Sequence, residues 1–404
     1  MSMQETRGPE EQEAGEPKEK PRKRRLRRFL RRRPVRVAGA LLGVAVVWLS
    51  FSVGQAVTAP GGGSFSSKLA EWARDHQLGA LVTLGEWLSY NPPKTGGKPS
   101  FNLTVPKGES LGAAAKGDHR LKSMLAADIP PPLSSLAGKA LPGEGQWRVL
   151  EKVNGQPAIL STFLRQSATY SSYVSAVVSM DPRMVKFQLH PGSEDPGPGN
   201  WGPDGDPWIP PAKRTGLLAT FNSGFKIDAS RGGFYLNGTS VGTLEPGDAS
   251  FVYYKDGTAK IGEWGRDLRM TPQVEAVRQN LQLIVDNGQI PDAVDQNVED
   301  GWGFTLGGGY FVWRSGVGMT KDGRIVFVYG PALNVRQLAT LLQHAGAVQG
   351  MQLDINPAWT SYEYYQAAKN PKSPTAVNLL PDQEGSPQRY EYIWSRDFTA
   401  VYTR

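Results

Sequence analysis

The chain has 404 residues, enough for one large domain with appendages and a sizeable core. It contains no cysteine, which excludes thiol catalysis, disulfides and cysteine metal sites without fixing the compartment. Its 45 Lys/Arg against 38 Asp/Glu give a formal charge of +7, but residues 1–36 alone hold 13 basic and 6 acidic residues. The remainder is neutral, so a nucleic-acid partner is not expected.

Residues 1–20 are rich in Glu, Lys, Gly and Pro and read as a cytoplasmic tail with little to bury. The run PRKRRLRRFLRRRPVR follows and abuts a stretch with no charge from Val37 to Ser67. About 20 apolar residues span a hydrocarbon core, and a dense basic flank stays on the cytoplasmic side. Residues 37–58 are therefore predicted to be a single transmembrane helix that holds the protein in membrane lipid and places the rest outside the cytoplasm. The competing reading is a cleaved signal peptide with Val57 and Ala59 at the cut. The uncleaved signal-anchor is preferred because the leader is long and Pro60 would follow the cut.

Residues 59–146 read as a linker and membrane-proximal stalk. APGGGS is a flexible spacer, residues 65–90 place Leu69, Trp72, Ala73, Leu81, Leu84, Trp87 and Leu88 at helical spacing, and residues 91–146 are Pro- and Gly-rich. From Trp147 the texture changes to short β-branched and aromatic runs bounded by Gly, Pro, Asn or Asp. Asp256–Gly257 and Asp322–Gly323 mark hairpins. One helix is predicted in NVRQLATLLQHAG, with Asn334 as cap and Gly346 as stop, leading into the apolar strand MQLDI. The expected fold is α+β, a strand-dominated, mixed-sheet domain over residues 147–404.

RSGVGMTKDGRIVFVYG, the helix and MQLD resemble, in order and spacing, the phosphodiester glycosidase family. Arg314, Gly318, Asp322, Gly323, Gly346, Leu353 and Asp354 carry the resemblance, with Asn222, Gly224 and Phe225 of FNSGF upstream. This implies a hydrolase of sugar-1-phosphodiester linkages in an envelope glycan. Ser223 and Lys226 replace a Gly and a Phe of the family pattern, and Ile355, Asn356 and Pro357 stand where it has glycines. The alternative is a catalytically inactive envelope protein of the same fold that binds an anionic glycan or scaffolds other membrane proteins.

Cleavage at an anomeric carbon needs positive charge at the phosphate and a carboxylate near C1. Arg314 suits the phosphate, Asp354 the anomeric centre, and Asn222 a sugar hydroxyl or phosphate oxygen. Gly224, Phe225, Asn356 and Trp359 are expected to line the substrate site, and Gly307 to Gly309 to allow close backbone approach. Each has a bland rival: Arg314 as an ion pair between strands, Asp354 as a strand cap, Asn222–Ser223–Gly224 as a turn, and the aromatics around Tyr362 and Tyr364 as core. No cofactor is expected. An oxygen-ligated divalent cation at Asp286 or Asp354 stays open, and His344 reads as a helix C-terminal cap.

Overall fold

The computed structural model describes residues 22–58, 65–78, 82, 91–104, 129–296, 302, 311–366 and 370–404. It divides into two units, Met1–Thr58 and Ala59–Arg404. In the first, helix α1 runs over Arg22–Thr58. Its segment Val37–Thr58 has 22 residues, none of them buried, and is long and apolar enough to cross a membrane. At ~1.5 Å per residue it reaches roughly 33 Å, about the thickness of a hydrocarbon core. Most of the predicted tail, residues 1–21, is outside the described residues.

The second unit opens with α2 (Phe65–Asp75). The continuation of this helical pattern to Leu84, Trp87 and Leu88 falls outside the described residues. Seventeen strands follow among the described residues: β1 (Arg148–Val153), β2 (Gln156–Arg165), β3 (Val174–Met180), β4 (Val185–His190), β5 (Leu217–Asn222), β6 (Phe234–Leu236), β7 (Thr239–Val241), β8 (Ala249–Tyr254), β9 (Ala259–Glu263), β10 (Val274–Gln279), β11 (Leu283–Asp286), β12 (Val312–Thr320), β13 (Ile325–Leu333), β14 (Ala347–Ile355), β15 (Tyr362–Tyr365), β16 (Ala376–Asn378) and β17 (Phe398–Thr403). Helices α3 (Ile227–Ser230) and α4 (Val335–His344) interrupt them. The expected strand-dominated α+β architecture is present.

The strands form three sheets, ordered β1-β2-β3-β13-β12-β14-β11, β7-β6-β10-β8-β9 and β16-β15-β5-β17-β4. Every ladder between these named strands is antiparallel, where mixed sheets were expected. Parallel pairing is confined to the isolated bridges Asp195–Arg396 and Trp264–Leu268. Both predicted hairpins form, β8 with β9 and β12 with β13, and Gly257 and Gly323 close them at φ +79° and +84°. Glycine takes this left-handed backbone without steric cost.

One apolar core joins the inner faces of all three sheets, through Ile159, Val178, Phe327 and Met351 of the first, Phe234 and Phe251 of the second, and Phe187, Phe221, Tyr362 and Val401 of the third. The opposite face of the first sheet is covered by α4, whose Leu338, Leu341 and Leu342 are fully buried against Val326 and Val328. Asn334 caps this helix as predicted: its Oδ1 accepts from Gln337 N at 2.7 Å and Gln337 Oε1 accepts from Asn334 N at 3.1 Å. The pair satisfies two of the N–H groups that a helix start leaves open.

The described parts of residues 91–146 differ from the linker expected there, because they pack into the domain. Leu103 belongs to the shared core, and Ile129, Leu133 and Leu136 pack against the helix-covered face. Glu144 is buried and pairs with Arg165 at 2.8 Å, and these contacts hold its carboxyl below the ordinary range against the opposing effect of burial. His344, at the end of α4, reaches Ser134 O at 2.8 Å, so it fastens this segment. Proline-rich sequence hides such packing because its apolar residues follow no helix or strand period.

Candidate active site

The site is built where β5, β12 and β14 end together. Between the pairs Gly316–Gln352 and Arg314–Ile355, β12 has only Ser315 while β14 has both Leu353 and Asp354. This is a β-bulge, the device by which a strand re-aims a side chain. Ser315 fixes it: its Oγ accepts from Asp354 N at 3.1 Å, donates to Asp354 O at 3.2 Å, and accepts from Asn222 Nδ2 at 2.8 Å. Asn222 also donates to Ser223 O at 2.8 Å and accepts from Ser361 N at 3.0 Å. Both amide hydrogens are used inside the protein, and through Ser315 the side chain is tied to the backbone of Asp354.

Asp354 is buried, with 5% of its surface exposed. Its Oδ1 accepts from Ile355 N at 2.8 Å and its Oδ2 from Arg396 Nη2 at 3.1 Å. Burial pushes its carboxyl up to about 6, Arg396 opposes the shift, and the charge of Asp397 adds to it. A carboxylate tuned towards neutrality by burial and one specific charge is a recurring feature of catalytic centres.

Arg396 also donates to Gly224 O at 3.1 Å, and its guanidinium sits over the Trp359 ring at 5.3 Å from the centroid. Its neighbour Asp397 makes a fully buried pair with Arg278 at 2.7 Å. Arg278 Nη2 donates to Phe225 O and its Nη1 to Gln279 O. Asp354, Arg396, Asp397 and Arg278 thus form one charged network under the strand ends. Sequence reading missed Arg396, Asp397, Arg278 and Ser315. Opposite charges far apart in the chain give no periodic signal.

Arg314 goes elsewhere. Successive strand residues face opposite sides of a sheet, and Ser315 takes the side towards Asn222. Arg314 is buried on the other side, donating to Leu333 O at 2.9 Å and Gln352 Oε1 at 3.0 Å. The structure therefore brings Asn222, Gly224, Asp354 and Trp359 together and gives the cation beside Asp354 as Arg396, where Arg314 was expected.

Gly224 is needed for an internal contact: a Cβ there would stand 2.9 Å from Asn280 Oδ1, which accepts from Phe225 N at 3.1 Å. Phe225 is buried in the helix-side core. Ser223 is buried and its Oγ has no partner among the described residues. Asn356 has φ +85°, the left-handed conformation typical of glycine, and its Oδ1 accepts from Ala358 N at 3.0 Å. Asparagine tolerates this backbone by such local bonding. The turn that glycine would allow thus persists, with Pro357 inside it, although the glycines do not. Tyr362 and Tyr365 are fully buried core residues, and Trp359 packs edge-on against Trp394 at 6.1 Å. Gly307 to Gly309 lie outside the described residues.

Asp286, raised as a cation ligand, instead pairs with Arg266 at 2.7 Å, and Asp354 pairs with Arg396. Among the described residues no three His, Cys, Asp or Glu side chains gather as metal ligands. His190 is buried against Phe398 at 4.7 Å, its Nδ1 3.0 Å from Asp206 O, and burial pushes its imidazole down to about 4.

Residues 215–354 match the family model described as phosphodiester glycosidase, which supports a glycosidase-type hydrolase. The matched segment contains Asn222, Gly224, Phe225, Arg314 and Asp354 and leaves Asp195, Arg396 and Asp397 outside it. No curated protein matches the sequence. Among solved structures, the chain is similar to the zebrafish N-acetylglucosamine-1-phosphodiester alpha-N-acetylglucosaminidase catalytic domain, auto-inhibited by pro-peptide, with 15% identity, coverage of 64% of this chain and 88% of that one, and a TM-score of 0.40. A Synechocystis protein gives 12% identity, coverage of 69% and 65%, and a TM-score of 0.32. A Burkholderia pseudomallei protein gives 12% identity, coverage of 57% and 74%, and a TM-score of 0.31.

Proposed function

We propose that the protein is a membrane-anchored, extracytoplasmic hydrolase that cleaves a sugar-1-phosphodiester linkage in an envelope glycan. The observation that carries this reading is the buried Asp354–Arg396 pair at 3.1 Å at the end of the family-matched segment. A guanidinium offers the planar, permanent charge that a phosphodiester needs, and the adjoining carboxylate can stabilise positive charge developing at the anomeric carbon. The departing phosphomonoester is a good leaving group, so no strong general acid is required. Trp359, beneath Arg396, supplies apolar area for a sugar face. The helix at Val37–Thr58 and the basic run before it are the basis for the anchor and its orientation.

The test is release of free sugar from a sugar-1-phosphodiester by the detergent-solubilised full chain. Asp354→Asn is expected to abolish turnover, and Arg396→Ala to lower kcat/KM by about 10²–10³-fold, the scale for losing one electrostatic stabiliser. Because Asp354 must be ionised to work, the rate should rise with pH through about 6 and then level. Undiminished turnover in Asp354→Asn would refute the assignment. A second reading, a non-catalytic glycan-binding protein, draws on both oxygens of Asp354 being already engaged. Glycan binding by a wild-type chain that cleaves no sugar phosphodiester would favour it.

A further inference from the structure

An open pocket of about 470 Å³, lined by Glu194, Asp195, Lys226, Ile227, Asp228 and Val241, adjoins the charged network. Asp195 links the two. Its Oδ2 is 3.8 Å from Arg396 Nε, and its backbone bridges that of Arg396. Arg396 therefore has Asp354 against Nη2 and Asp195 beside Nε, and of these two carboxylates Asp195 lines the pocket.

Their commitments differ. Both oxygens of Asp354 accept hydrogen bonds at 2.8–3.1 Å, one of them from the guanidinium. Asp195 accepts from Ile227 N at 3.2 and 3.3 Å, and its approach to Arg396 is too long for a hydrogen bond. Its side chain lines the open pocket and is 16% exposed. The other charges around it are Asp397 and Arg278 beneath and Glu194, Lys226 and Asp228 at the pocket rim.

We propose that Asp195 is a second catalytic carboxylate, the general base for the water that attacks the anomeric carbon. This inference rests on the sugar-phosphodiester reading above. The water oxygen bonds to C1 while the C1–O bond to phosphorus-bound oxygen breaks, and that electron pair leaves with the phosphomonoester. The water proton passes to Asp195 and then through the pocket to solvent. Asp354 balances the positive charge at C1 without bonding to it, so the product sugar emerges with inverted configuration. Burial, reinforced by Asp397, holds the Asp195 carboxyl above the ordinary range, which makes it a stronger base.

The experiment compares the wild-type full chain with Asp195→Asn, which can still accept from Ile227 N, on a sugar-1-phosphodiester. The expected result is a kcat about 10²–10⁴-fold lower with KM little changed, the usual range for losing a general base. Added azide, a nucleophile with no proton to lose, should restore turnover as the inverted glycosyl azide. Should the Asn variant lack a cooperative melt, Asp195→Ser is read in the same way. An active wild type with unchanged kcat in Asp195→Asn, a retained product anomer, or lost activity that azide does not rescue would each overturn this assignment alone. A wild type inactive on sugar phosphodiesters would instead remove the reading beneath it, and this inference with it.

Discussion

At the residue scale, Asp354 was legible because it combines an apolar strand, a preceding helix and a family position. Its partner Arg396 was not, since SRDFTAVYTR reads only as a strand and nothing in it tells which distant carboxylate faces the guanidinium. The family order placed Arg314 near the site in sequence, but order does not specify the side of the sheet, and strand alternation gives the site to Ser315. Asn356 shows how an apparent loss is absorbed: its φ of +85° keeps the turn that glycine would allow. Asn356→Gly should therefore leave stability within a few tenths of a kcal/mol. Asn356→Ala keeps a Cβ in the left-handed backbone but loses the side-chain bond to Ala358 N that offsets it, and should cost about 1 kcal/mol. Urea denaturation midpoints of the two variants decide this, and equal destabilisation would show that the side-chain bond to Ala358 matters instead.

At the scale of elements, hairpins and α4 followed from local chemistry. Turn residues and a capping pair act over a few positions, so sequence reveals them. Asn334→Ala, which removes the cap of α4, should lower stability by about 1 kcal/mol. Thermal melts check the size, and hydrogen exchange should show the loss concentrated in the first turn. Strand β10 was not foreseen, because VEAVRQ lacks the apolar alternation of an ordinary strand. Arg278 and Gln279 are buried for a reason that lies outside it. Arg278 meets Asp397 beside β17, and Gln279 Oε1 accepts from Gly233 N and Glu245 N at 3.0 and 2.7 Å. A strand whose polar side chains are satisfied by segments distant in the chain cannot be recognised from its own composition.

At the scale of the whole molecule, several buried carboxylates oppose one another in their pH behaviour. Burial pushes Glu151 up to about 8, with 6% of its surface exposed, and Glu363 up to about 7. A raised carboxyl favours the protonated fold, so its contribution is full below about 4 and is lost as pH rises towards the folded value. Glu144 and Asp181, held low by Arg165, Arg183 and Arg324 against burial, act in the opposite sense and lose theirs as pH falls. Glu151→Gln should thus raise stability at pH 8–9, by on the order of a few kcal/mol, and change it little near pH 4. Denaturant midpoints across that range test it, and a uniform shift at all pH values would contradict it. The third sheet carries a different consequence. Strands β4 and β5 do not pair with each other; both wait for β17, which lies between them. That strand follows β5 by roughly 180 residues. At synthesis rates of about 5–20 residues per second, the nascent chain holds two apolar strand edges without their mate for roughly ten to thirty-five seconds.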